Sequence, residues 1–523
     1  PVLSRRFPRL SKYGTHVAVL LALGLLYIGS TGEATIEAGQ TGGLTPFSQA
    51  TMGPATPVDI EFLAEPPTPT PQQLQSMQYT ETNRHETPPI PAGRATTGPV
   101  NLGPELVLPL PESAGASAAP PSPASAPNTH RQFVSEFYKG PTGYNSDVGE
   151  PSIDANNNVF FISHNWYAAV STDYGNNWSY VNPFAIGNAD GGFCCDQKVI
   201  YAPDHDMLIW LIQTIEDGVD NRYRLVVFRG LSDASTATYF YFDFFPSTLG
   251  FTGQWLDFPD VQVGNAYFYL HFNRFTTAGY AYAGSSFVRI PLASMADGGG
   301  FTFDFMNPTT ASNRFTAGAT DTMYWIGHVN TSTVRIYEAV EGGGGWSSTD
   351  VALQQSWSNP VACPGPGGVN PCSRIMGGWN GRPTAAFIGG LNRNEIVVQW
   401  NVAPMGAAPH NFVYNARFTL AAPHTALQWY AMWSSGAAIT YPSAAPNDRG
   451  AAGGTFLAFF PTLHPVCYTW ITDDITPSLI SPALQIGATS TATEPSSGDY
   501  LETRGYGDVW VGACFSYSGG VQN

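Results

Sequence analysis

Positive charge is what this chain of 523 residues has least of. Lysine and arginine together number 22 against 39 aspartates and glutamates, for a net charge of −17. After Lys12 the only lysines are Lys139 and Lys198. A surface of that sign repels phosphates, which argues against a nucleic-acid partner. Charged residues of both signs make up only 12% of the chain, about half the usual share. Beyond residue 28 no apolar run has transmembrane length, so no membrane span is expected after the N-terminal segment. No G-x-S-x-G, Walker or dinucleotide fingerprint occurs. Acyl-transfer, nucleotide and redox-cofactor chemistries therefore lack support, and no cofactor is expected. No CxxC pair or neighbouring histidine pair accompanies the cysteines, which disfavours zinc. A long amphipathic helix is also missing.

What is present suits a β-rich exported protein. Glycine numbers 55, and Asn, Ser, Thr and Tyr are frequent, as in short strands joined by many turns. Arg5, Arg6, Arg9 and Lys12 precede the apolar run 17–28, and small residues follow near Ala34. Residues 1–34 thus read as a signal peptide, and the protein as secreted or cell-surface. In an oxidising compartment the six cysteines are expected to form disulfides. Cys363 and Cys372 bound a short stapled loop. Cys194 and Cys195 either bond to each other or pair elsewhere, with Cys467 or Cys514.

Residues 35–130 are rich in Pro, Ala, Ser and Thr ("EPPTPTPQQ", "PLPESAGASAAPPSPASAP"). That composition buries too little apolar surface to offset ordering entropy, and it predicts a disordered spacer. From 131 to 523 the pattern changes to short strands and Gly/Asn/Pro turns. Seven apolar runs begin at residues 159, 207, 266, 323, 395, 455 and 509. A period of about 50–60 residues predicts an all-β β-propeller, most simply seven-bladed, with six blades as the alternative. A β-sandwich or parallel β-helix is the competing architecture. The segment "RQFVSEF" (131–137) is expected to close the ring.

Within the first unit stands "STDYGNNW". Its spacing, Ser171-x-Asp173-x-Gly175-x-x-Trp178, resembles the Asp-box hairpin of sialidases and related propellers. Asp173 can accept turn amides, Gly175 can supply a left-handed backbone, and Trp178 can pack between sheets. A weaker copy, "AVEGGGGW", has Ala339, Glu341, Gly343 and Trp346 at the same spacing, three periods later. The resemblance implies a structural role for both copies, on the outside of the ring. It also implies a ligand site at one mouth of the channel, with three arginines, a Tyr nucleophile with its Glu, and an Asp acid/base. The chain departs from that pattern at "GEPSI", where Glu150 stands in place of the first arginine. Arg374, Arg382 and Arg504 are the arginines left for an anionic group.

Several clusters carry the chemistry. "DGGFCCDQ" (190–197) leads through two cysteines into Asp196 and Gln197. "LDFPD" places Asp257 and Asp260 at the head of the third unit. Carboxylates facing one channel can act as acid and base or nucleophile in glycoside hydrolysis, and the same oxygens could hold a structural Ca²⁺. The apolar runs, read as inner strands, end in His164, His271 with Arg274, and His328. These ends are expected to converge on one mouth, where histidine can move protons near neutrality. The last unit adds Tyr500, a candidate nucleophile, beside Arg504. Taken together, the expectation is a secreted, monomeric glycoside hydrolase acting on an extracellular glycan or glycoconjugate. Asp196, Asp257, Asp260 and Tyr500 would be catalytic. Gln197, His164, His271, Arg274, His328, Arg382 and Arg504 would bind substrate. The alternatives are a polysaccharide lyase and a non-catalytic carbohydrate- or protein-binding adhesion propeller.

Overall fold

The structure, a computed structural model, describes residues 44–65, 100–108, 150–188, 190–231, 237–368, 381–390, 393–463, 465–472, 479–485 and 501–514, with a few isolated positions besides. All of them lie in one compact unit, Gly39–Asn523. The expected signal peptide and the segment 131–137 fall outside the described residues.

Six antiparallel meanders of four strands follow one another along the chain. Blade 1 spans 152–181, blade 2 193–244, blade 3 254–306, blade 4 314–352, blade 5 383–432 and blade 6 438–485. Their first strands stand side by side around an axis, and Ala317 bridges Phe387 of the next blade in parallel. The seventh apolar run falls in a two-stranded hairpin, Glu502–Tyr506 and Val509–Ala513. The first strand of that hairpin packs between the inner strands of blades 6 and 1. The fold is therefore a β-propeller, with six complete blades among the described residues where seven were expected.

The core is a chain of apolar clusters, one at each junction between neighbouring sheets. Blades 2 and 3 share Leu211, Val227, Leu270 and Val288. Blades 4 and 5 share Ile336, Trp357 and Trp400. A strand sandwiched between two other sheets needs apolar residues on both faces, so it reads as a continuous apolar run rather than an alternating one. The first six runs are such strands, whereas the seventh, Val509–Ala513, is largely half-exposed. They are second strands, however, and not the inner strands that the sequence analysis took them for: Val159–His164, for example, pairs outside Ser152–Asn156.

The hairpin carrying "STDYGNNW" joins the third and fourth strands of blade 1. Asp173 Oδ1 accepts the Asn177 amide at 2.8 Å and Ser171 Oγ at 2.8 Å. Gly175 donates to Ser171 Oγ at 2.9 Å and has φ +82°. Trp178 packs with Ile153, Ile162, Val511 and Ala513, at the junction of blade 1 and the terminal hairpin. The weaker copy occupies the same turn in blade 4 but is wired differently. Glu341 leaves its own turn and accepts from Ala266 N at 2.8 Å and Tyr269 Oη at 3.0 Å in blade 3. Gly343 lacks a left-handed backbone, and Trp346 lies beside Tyr337.

Part of the expected spacer is an ordered belt. Thr45–Pro46 pairs with the outer strand of blade 4, Ser48–Met52 with blade 3 and Thr56–Pro57 with blade 2. Leu63 bridges Tyr180 in blade 1. Residues 100–108 lie against blades 5 and 6, where Leu102 and Leu106 are buried and Leu106 N donates to Trp433 O at 2.9 Å. Average composition hid these anchors. The open edges of the outer strands supply backbone partners that no local window of sequence contains.

All six cysteines are paired: Cys194 with Cys195, Cys363 with Cys372, and Cys467 with Cys514. The last pair ties blade 6 to the terminal hairpin. Among the described residues no helix is long and apolar enough to cross a membrane.

Candidate active site in the axial channel

Because every inner strand runs the same way, the channel has two distinct mouths. The upper mouth lies where the inner strands begin, together with the turns between second and third strands. The lower mouth lies where the inner strands end.

Near the upper mouth the inner strands are irregular. Register shifts interrupt the pairing between Cys194 and Gln197 in blade 2, Asp257 and Asp260 in blade 3, and Thr440 and Ser443 in blade 6. Two residues fall inside each shift: in blade 2 both are extra, and in blades 3 and 6 they oppose a single partner residue. In blades 3 and 6 the first of them is a bulky aromatic with left-handed backbone, Phe258 (φ +56°) and Tyr441 (φ +52°), and a proline follows each. Left-handed backbone is costly for a residue with a bulky side chain. Bulges bend a strand and re-aim its side chains, and they recur next to active sites. In blade 2 the inserted pair is Cys195–Asp196, so the vicinal disulfide occupies the bulge and Asp196 directly follows it. In blade 3 the bulge presents Phe258 to two guanidinium groups. Arg314 lies 4.5 Å and Arg382 5.8 Å from the ring centroid.

Below this level the channel is filled by charge. Lys198 Nζ is 3.2 Å from Glu502 Oε2, and Glu502 also pairs with Arg504. Arg504 reaches across to Val261 O at 3.3 Å. Arg314 pairs with Asp260 at 3.3 Å. All five residues are more than nine-tenths buried. Burial pulls the Lys198 ammonium below its ordinary range, with Glu502 opposing. Burial works to raise Glu502, but Arg504 and Lys198 outweigh it and hold the carboxyl below its usual value. Asp154 keeps a pKa of about 6, raised by burial against the pull of Arg504. Opposite charges held in a low-dielectric interior are retained only when paired and hydrogen-bonded.

The expected site residues separate into groups. Asp196 and Asp257 begin neighbouring inner strands at the upper mouth, and Asp257 accepts from Gln213 Nε2 at 3.1 Å. Arg382 joins them through Phe258. Asp260 lies deeper. It pairs with Arg314 and accepts Phe315 N at 2.9 Å, so it stitches blade 3 to blade 4. Arg504 belongs to the buried ion pairs rather than to the mouth. Gln197 turns into its own blade, donating to His164 O and accepting Trp210 Nε1 at 2.8 Å.

The histidines do not reach the channel, because the second strands that carry them stand one layer back. His164 stacks on Tyr167, and neither ring nitrogen has a hydrogen-bond partner. His271 Nε2 is 3.0 Å from Asn313 Nδ2. His328 sits between Trp357 and Trp400, at 4.8 and 4.7 Å. Burial lowers their pKa values to about 4, 3 and 3. Arg274 is likewise spent internally, donating to Gln254 Oε1 at 2.8 Å and stacking over Phe251. Tyr500 and Arg374 lie outside the described residues.

Three participants escaped the sequence analysis: Lys198, Arg314 and Asp154. Lys198 did leave a signal. It is the sole lysine among the described residues, two positions after Asp196 in the strand "FCCDQKVIYA". Among the described residues no three His, Cys, Asp or Glu side chains gather as metal ligands.

No family model and no curated protein matches the chain. Solved structures similar to it include an arginine-substituted AofleA from Arthrobotrys oligospora, at 9% identity and a TM-score of 0.34, covering 65% of this chain and 87% of that one. The Trypanosoma rangeli sialidase bound to the inhibitor DANA is 10% identical, with a TM-score of 0.32, over 62% of this chain and 54% of the sialidase. The Cellvibrio cellulosa alpha-L-arabinanase complexed with arabinohexaose is 9% identical, with a TM-score of 0.30, over 64% and 96%. None superposes closely enough to lend its activity to this chain.

Proposed function

We propose that the protein is an exported, glycan-active propeller, most simply a glycoside hydrolase working at the upper mouth. Asp196 and Asp257 are its acid/base or nucleophile pair, and Arg382 positions the substrate. The observation that supports this most is the bulged rim, where left-handed Phe258 directly follows Asp257 and stands beside a buried guanidinium pair. Strain of this kind persists where the surroundings over-determine it, and it clusters at functional sites. Carboxylates contributed by neighbouring strands are the minimal equipment for glycosidic cleavage. The histidines, desolvated and one layer back, do not favour a lyase built on them. Three disulfides suit an oxidising, extracellular setting. On the same reading the terminal hairpin is an incomplete seventh unit.

The test is turnover of a broad panel of neutral and acidic glycans by the wild type and by Asp196→Asn and Asp257→Asn. Loss of a positioned carboxylate acid or base is expected to cost about 10²–10⁴ in rate, while glycan retention on an affinity column persists. Wild-type turnover by both variants overturns the assignment. Retention without cleavage by the wild type favours the non-catalytic binder.

A further inference from the structure

The lower mouth holds a feature that the upper-mouth chemistry does not use. The inner strands end around a cavity of about 700 Å³, to which all six blades and the terminal hairpin contribute. That is the size of an ordinary small-molecule pocket. Its floor is Asp154 and Arg504. Arg504 is more than nine-tenths buried and is held there by its pair with Glu502. The walls mix apolar strand ends, among them Ala155, Ala202 and Ala445, with polar side chains such as Gln262 and Asn447. The rim carries exposed polar side chains on separate turns, Asn157, Asn265 and Asp448 among them.

We propose that this cavity is a second binding site, for a neutral, polyhydroxylated ligand such as the end of a saccharide chain. The charge balance selects against anions. Carboxylates outnumber guanidinium groups around the cavity, and Arg393 is already engaged by Asn447 O. Metal ions lack a set of three ligands among the described residues. A hydroxyl group both donates and accepts. It can therefore accept from a rim amide N–H while donating to the Asp154 carboxylate or to a rim amide oxygen. The buried pairs Lys198–Glu502 and Asp260–Arg314 fill the channel above, so a ligand here does not reach Asp196 or Asp257. The site is independent of the proposed hydrolysis.

Isothermal titration tests it, with maltotriose, cellotriose, xylotriose and N-acetylated chitotriose as probes. The proteins are the wild type, the rim variants Asn265→Trp and Asp448→Trp, and the upper-mouth variant Arg382→Ala. At least one trisaccharide is expected to bind the wild type and Arg382→Ala with a Kd of about 1 mM or tighter. Both tryptophan variants, checked for unchanged melting, are expected to weaken it tenfold or more. No binding by any probe up to about 10 mM overturns the proposal, as does affinity unchanged in both tryptophan variants. Binding lost only in Arg382→Ala assigns the saccharide to the upper mouth. That result overturns the second site and leaves the proposed enzyme standing.

Discussion

Deleting residues 44–63 is expected to lower stability by about 3–5 kcal/mol and to make the protein self-associate. The belt closes the outer edges of blades 2, 3 and 4 with backbone hydrogen bonds, and Met52 inserts into the cluster between blades 2 and 3. Phe47 stacks on Phe287 and lies 4.2 Å from the Arg289 guanidinium. Removal of the belt also leaves three outer strands with unpaired N–H and C=O groups, which are templates for edge-to-edge association. Urea titration and size-exclusion chromatography measure both effects. Met52→Ala alone is expected to cost about 2 kcal/mol or more while leaving the protein monomeric. An unchanged midpoint in the deletion variant would show that the belt merely rests on the ring.

The second large effect is acid lability. His164, His271 and His328 hold pKa values of about 4, 3 and 3 in the folded protein, against 6.5 ordinarily. Below pH 6.5 the unfolded chain therefore takes up protons that the folded chain refuses. Stability is complete above that pH and falls as pH drops, by about 1.4 kcal/mol per unit for each fully desolvated histidine. At pH 5 the loss is about 2 kcal/mol per histidine. Asp154 works in the opposite direction. Its folded pKa of about 6 exceeds the ordinary 3.8, so its burial penalty is full above pH 6 and relieved on acidification. That returns about 1 kcal/mol at pH 5. The net expectation is a loss of about 4–5 kcal/mol between pH 7.5 and pH 5, read from urea midpoints. The triple variant His164→Gln, His271→Gln, His328→Gln should be less stable at pH 7.5 but much flatter with pH. Stability that stays level or rises on acidification in the wild type would contradict the desolvated histidines.

The parts of this molecule that sequence reveals are those whose signal is local. The second strands announce themselves because burial on both faces demands runs such as "MLIWLI" and "EIVVQW". The hairpin at Ser171–Trp178 is legible because its hydrogen bonds close within eight residues. Inner strands are harder to see. Segments such as "FCCDQKVIYA" and "QWLDFPDVQV" mix charge with apolar residues and contain bulges, so no simple period marks them. That displacement by one strand is why His164, His271 and His328 were expected at a mouth and instead lie between sheets. Asp196 and Asp257 stood out as carboxylates at strand heads, which is a local feature. The pairing of Lys198 with Glu502 joins residues some three hundred positions apart, and only ring closure brings them together. The belt failed to register for the same reason: its partners are edges contributed by distant strands.

The account rests on chemistry seated at the bulged upper rim. The most direct test is a crystal structure of Asp257→Asn soaked with an oligosaccharide that the wild type cleaves. The expected result is sugar density at the upper mouth, against Phe258 and Arg382 and within hydrogen-bond reach of Asp196. A cleavable oligosaccharide found only at the lower mouth, or only on the outer faces of the blades, would contradict it.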